Sequence, residues 1–139
     1  MNYMEQDPHG MYRGLDGHQG PGPALMGANT LIGNDVSNAS NENLGDIKEI
    51  MLDVESGRVA YAVLSFGGVF GLGDKLFAVP WKALRLDTEN KLFRLDVDKK
   101  ELKSAPGFAK DAWPRMSDRK WQSEVHSYYH TTPYWEERP

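Results

Sequence analysis

The chain has 139 residues, 40% of them hydrophobic and 26% charged, with a formal net charge of −4 and no cysteine. This length suits one domain with a modest core, and the lack of cysteine excludes disulfide staples and thiolate metal sites. No apolar run reaches spanning length, and the opening MNYMEQDPHG has neither the basic nor the apolar region of a signal peptide, so a cytoplasmic protein without membrane insertion is expected.

The negative charge is unevenly placed. Residues 1–45 carry Glu5, Asp7, Asp16, Asp35 and Glu42 against Arg13 alone, whereas residues 46–103 and 104–139 are each balanced. A neutral body does not favour electrostatic capture of nucleic acid, so a nucleic-acid partner is not expected.

Residues 1–27 hold Pro8, Pro21 and Pro23, many glycines and few large apolar side chains, the composition of a disordered arm. His9 and His18 fall in it without further ligands, so no metal is assigned there. Thr30-Leu31-Ile32-Gly33 reads as a short first strand, and the polar run from Asn34 to Asn43 as a turn-rich connection.

The segment from Asp46 to Trp81 organises the chain. Arg58 to Phe66, RVAYAVLSF, is rich in β-branched and aromatic residues and apolar on both faces, as in a central strand covered on both sides. Ile47, Ile50 and Leu52 precede it, and strict alternation separates Ile47 from Ile50, which places a bulge near Lys48–Glu49. Between the strands, DVESG offers Gly57 for the positive φ of a tight turn, so a β-hairpin is predicted.

Gly67, Gly68, Gly71 and Gly73 invite comparison with a phosphate-binding loop. Gly68 and Gly73 have the required spacing, but Asp74 stands where the lysine belongs and Lys75 where the hydroxyl belongs. The following Leu76-Phe77-Ala78-Val79-Pro80-Trp81 is a strand pattern, whereas phosphate binding needs a helix N-terminus. These glycines therefore read as a sharp corner, with Val69, Phe70 and Leu72 plugging one end of a barrel. Pro80 marks a strand end, since it cannot donate to a ladder. Lys82–Asp87 and Lys91–Asp96 flank Thr88-Glu89-Asn90 as a second hairpin, with Arg85 and Arg94 outward. Asp98–Lys103 reads as a helical turn stopped by Pro106 and Gly107.

The C-terminal stretch carries Phe108, Trp113, Trp121, Tyr128, Tyr129, Tyr134 and Trp135. Ser117 is read as an N-cap, and Trp121, Val125 and Tyr128 as one stripe of a helix. His126 and His130 stand four apart on it, a spacing that can bind zinc, but HSYYH lacks the metalloprotease glutamate and a third ligand. Asp46, Glu49 and Asp74 are the carboxylates an enzyme would use; each reads more simply as a turn or surface residue. No catalytic residue and no cofactor is assigned. The residues thus predict a mainly β chain: a disordered arm over 1–27, a small β-barrel over 28–103, and an aromatic extension over 104–139 with one short α-helix.

The run LGDIKEIMLDVESGRVAYAVLSFGGVFGLGDKLFAVPWKALRLD resembles the PRC-barrel domain, named for the cytoplasmic part of the photosynthetic reaction-centre H subunit. The resemblance covers roughly Asn29 to Asp98 and rests on Asp53 with Gly57-Arg58, Gly67-Gly68 with Gly71-Leu72-Gly73, and Val79-Pro80-Trp81. Trp113-Pro114, Tyr128-Tyr129 and Pro133-Tyr134-Trp135 are similar to the extension of bacterial stand-alone members. The resemblance implies a compact PRC-type barrel of about six strands that serves as an adaptor with no shared catalytic residues. The expectation is a non-enzymatic, stress-associated protein-interaction module that self-associates as a homodimer, with the aromatic tail at the interface. A ribosome- or RNA-maturation accessory role and a reaction-centre-related subunit without the membrane helix are the alternatives.

Overall fold

A computed structural model of the chain describes residues 7–12, 20, 22–66 and 75–136. Among the described residues, seven strands form one mixed sheet: β1 (Asp35–Ser37), β2 (Asn43–Leu52), β3 (Val59–Phe66), β4 (Lys75–Pro80), β5 (Leu84–Asp87), β6 (Leu92–Leu95) and β7 (Phe108–Ala109). Their order across the sheet is β5-β6-β1-β2-β3-β4-β7, with β1 and β6 the parallel pair. Among the described residues no ladder joins β5 to β7, so the sheet is open and mainly antiparallel. The expected six strands become seven because Phe108–Ala109 pairs with Lys75–Leu76 on the outer side of β4.

The β3 strand lies at the heart of the sheet for the reason its sequence gives. Both of its faces are apolar, and Ala60 to Ser65 are all buried between β2 and β4. The register of β2 on β3 shifts between Ile47 and Glu49, the bulge that the apolar spacing requires. At the turn, Gly57 has φ +77°, Asp53 N–H donates to Arg58 O at 2.8 Å, and Gly57 N–H donates to Asp53 O at 2.7 Å. The Asp53 carboxylate also accepts from the Glu55 and Ser56 amides, so the tip of the hairpin is held from within.

A second positive-φ glycine was not foreseen. Gly45 in β2 has φ +108°, and a Cβ there would lie 2.1 Å from Ser65 O on β3. The two backbones approach so closely that only glycine fits.

Two local expectations are corrected. The first element is not a strand at Thr30–Gly33 but a single helical turn, α1 (Ala28–Leu31), because the Gly27 and Ala28 carbonyls take the amides of Thr30, Leu31 and Ile32. Gly33, at φ +93°, then turns the chain into β1. Arg94 does not point outward: its guanidinium bonds Asp87 (3.2 Å), Asn38 O (3.0 Å) and Asn41 Oδ1 (3.0 Å), bracing the β5–β6 hairpin against the loop before β2. Arg85 is exposed, as expected. Within the N-terminal arm, the Asp7 carboxylate accepts from the amides of Met11 and Tyr12, and Tyr12 is buried.

Helix α2 (Lys99–Ser104) opens with a capping box formed by Asp98 and Glu101 and is stopped at Ala105-Pro106, burying Leu102 in the core. Val36, Leu44, Ile47, Leu64, Phe77, Val79, Phe93 and Leu95 fill the rest of that core, and Val125, Tyr129 and Tyr134 of the tail join the same cluster.

Candidate functional site

Beyond α2 the chain runs through a largely exposed connection to helix α3 (Arg119–Tyr128). The cap is Asp118, whose carboxylate accepts from Lys120 N–H at 3.0 Å; Ser117 lies one residue too early. The apolar spacing turns one face of α3 inward. Gln122, Val125 and His126 are buried, and Trp121 and Tyr128 are partly covered. The helix ends at Tyr128, and a short 3-10 turn at Tyr134–Glu136 folds back beside it.

Tyr61 on β3 receives this tail. Its ring meets Trp121 edge-on at 5.7 Å, His126 at 5.3 Å and Tyr134 edge-on at 6.0 Å between centroids. Such edge contacts each add to the burial of the rings. Trp135 stands 5.5 Å from His126, and the Arg119 guanidinium lies 3.8 Å over the Trp135 ring.

The polar groups inside this cluster satisfy one another. Tyr61 OH donates to Gln122 Oε1 at 2.8 Å. Tyr134 N–H can only donate, and it reaches His126 Nε2 at 3.2 Å, so that nitrogen carries a lone pair. The remaining ring proton therefore sits on Nδ1, which donates to Gln122 O at 2.7 Å. His126 is thus a neutral structural acceptor with both nitrogens engaged.

Tyr134 is held through all three of its polar groups. Its hydroxyl donates to Asp53 Oδ2 at 2.6 Å, its amide donates to His126, and its carbonyl accepts from Arg58 Nη1 at 2.6 Å. Asp53 and Arg58 are the two ends of the β2–β3 turn, so the tail clasps that hairpin at both strands. The Tyr134 hydroxyl, then the Ser56 amide, hold the Asp53 carboxyl below the usual carboxylate range. Burial, then the bond to Asp53, pushes Tyr134 up to about 12. Burial also raises Tyr61, aided by Tyr134 and opposed by Arg119.

The hairpin tip projects past this clasp. Leu52 is 58% exposed and Val54 95% exposed. Beside them opens a cleft of about 450 Å³, with Met51, Leu52, Val54 and Glu55 on one lip, Met116, Ser117 and Arg119 on the other, and Tyr61 and Tyr134 among the residues lining it.

Among the residues singled out by sequence, Gly57 lies in this hairpin, and Trp121, Tyr134 and Trp135 in the clasp. Tyr128 OH donates to Glu101 O, pinning α3 to α2, and Tyr129 is buried beneath. Pro80 ends β4 opposite Tyr61, and Trp81 packs edge-on against Phe93 at 5.7 Å. Trp113 is set apart: it is 42% exposed and packs against Phe108 with the rings tilted, 5.1 Å between centroids. Gly67, Gly68, Gly71 and Gly73, with Val69, Phe70, Leu72, Asp74 and His18, lie outside the described residues. His126 and His130 do not share a helical face, because α3 ends at Tyr128 and His130 is exposed at φ +58°. Among the described residues no group of three or more His, Asp or Glu is placed to hold a metal ion.

Sequence reasoning missed the pairing of Asp53 and Arg58 with Tyr134, the buried Gln122, and the exposed Leu52 and Val54. The aromatic tail is covered largely within its own chain.

No curated protein matches the chain. The sequence pattern of the PRC-barrel domain matches residues 23–102. That span takes in α1, strands β1 to β6 and the start of α2, including Asp53 and Arg58, and stops short of the tail that these two residues hold. The chain belongs to the PRC-barrel domain family.

Proposed function

We propose that the chain is a non-catalytic protein-interaction module, built on a PRC-type barrel, whose binding surface is the β2–β3 tip and the cleft beside it. The observation that carries this reading is the exposure of Leu52 and Val54 on a hairpin whose turn is fixed at both ends by Tyr134. Exposed apolar side chains on a rigid support lose little conformational freedom when covered, which favours binding. The polar side chains of the neighbouring cluster support a structural role, since Tyr61, Gln122 and His126 are spent on one another.

The test is retention of proteins from native lysate by the full chain and by Leu52→Glu/Val54→Glu. The reading predicts a protein retained by the wild type and lost by the variant. Equal retention by both moves the binding surface elsewhere.

A second reading, an accessory role on RNA, draws on lysines at the far end of β3. Lys99 and Lys103 stand 5.8 and 6.0 Å from the Phe66 ring centre, and Lys75 stands 5.1 Å from that of Phe77. Phosphate contacts make such binding fall steeply with salt. Absence of RNA retention at low salt ends that reading.

A further inference from the structure

The two lips of the cleft differ in charge as well as in position. The hairpin lip presents Leu52, Val54 and the exposed Glu55. The tail lip presents Met116 and Arg119, with the exposed Arg115, Asp118 and Lys120 adjoining, three cations to one carboxylate. The acidic apolar knob and the basic apolar wall are neighbours on one surface. A twofold axis passing between them carries the knob of each copy to the wall of the other, which is the self-complementarity an isologous contact needs.

We propose that a second copy of this chain occupies the cleft, with Val54 and Leu52 of each protomer seated against Met116 of its partner and Glu55 facing the partner's Arg119. This rests on the interaction reading above and names the partner. Three observations favour a second copy. Val54 is the most exposed large apolar side chain among the described residues, and it stands at the edge of a cleft that its own chain leaves open. The charges are complementary between the lips, and Glu55 has no ion-pair partner among the described residues. Stacking on Trp135 fixes Arg119, so its charge is already presented at the wall. The interface is small, of the transient class below about 1,200 Å² in total, so the dimer forms with rising concentration rather than permanently.

The interface lies at the hairpin tip and the start of α3, not on the tail aromatics. Trp121 and Tyr134 are turned inward to Tyr61 and are not free to pair across a twofold.

The experiment follows the full chain by sedimentation from low to high micromolar, with a photo-reactive residue at position 54 in a parallel preparation. The expected result is a shift from monomer to dimer in the wild type, adducts at twice the chain mass, and cross-links that map to residues 115–122. Val54→Glu removes the shift while keeping the wild-type melting temperature, since the side chain packs on almost nothing in its own chain. Glu55→Lys and Arg119→Glu each weaken the dimer about tenfold or more, and the double variant recovers it, because the reversed pair is again complementary. A wild type that stays monomeric at high micromolar, while position 54 cross-links to a foreign protein in lysate, overturns the second copy and leaves the interaction module standing. No adduct of either kind overturns both.

Discussion

The hydroxyl of Tyr134 donates to the carboxylate of Asp53 at 2.6 Å, joining residues 81 positions apart. One partner lies in the span shared with the PRC-barrel family and the other beyond it. The contact makes the tail part of the hairpin's support, and its consequences are measurable.

Tyr134→Phe keeps the ring against Tyr61 and removes only the donor. A hydrogen bond to a charged acceptor sets the loss at about 1–2 kcal/mol in denaturant unfolding. Asp53→Asn also weakens the clasp, and the two changes together cost less than their sum. Strict additivity shows that the two groups are not coupled.

The pH dependence follows from the same pair. Asp53 is lowered in the folded chain, so its contribution is present above the ordinary carboxylate value of about 3.9 and is lost as pH falls through its folded value. Asp87 acts in the same direction: Asn90 and then Arg94 hold it down to about 2. Tyr134 is raised, so its contribution is present below about 10 and is lost as pH rises from there through about 12. Melting temperatures should fall at both extremes, and Tyr134→Phe should flatten the alkaline limb. An unchanged alkaline limb in that variant contradicts the assignment.

The two well-placed positive-φ glycines should differ in cost. A Cβ at Gly57 meets nothing within 4 Å, so Gly57→Ala carries only backbone strain of about 1–2 kcal/mol. Gly45→Ala drives a Cβ into Ser65 O and should cost distinctly more, measured as the loss of unfolding free energy. The reverse order contradicts the register of β2 on β3.

Zinc should leave the melting temperature unchanged. His126 uses one nitrogen on Tyr134 N–H and the other on Gln122 O, and His130 is exposed beyond the helix end. Stabilisation by zinc that His126→Gln abolishes contradicts this.

What the sequence revealed follows from the range of the interactions. The hairpin of β2 and β3, its bulge and the Gly57 turn were legible because alternation, β-branching and turn chemistry are local. The α3 stripe was legible for the same reason, although one residue decided its cap between Ser117 and Asp118. The strand expected at Thr30 failed because a short apolar run fits one helical turn equally well, and Gly33 settled the matter through its φ. Gly45 was invisible because its constraint is the backbone of Ser65 on another strand. The candidate site was hidden for the same reason: Asp53, Arg58, His126 and Tyr134 are ordinary residues until the fold brings them together. The exposure of Val54 likewise depends on where the tail comes to rest.

The central claim is that the tail is docked on the hairpin of its own chain as a structural part of the module. Amide hydrogen exchange on the full chain at low micromolar concentration tests it most directly. The account predicts that the Tyr129 and Tyr134 amides, bonded to Val125 O and His126 Nε2, are protected nearly as well as the β3 amides of Ala62 to Leu64. Exchange of those tail amides at the rate of an unstructured peptide, with β3 still protected, contradicts it.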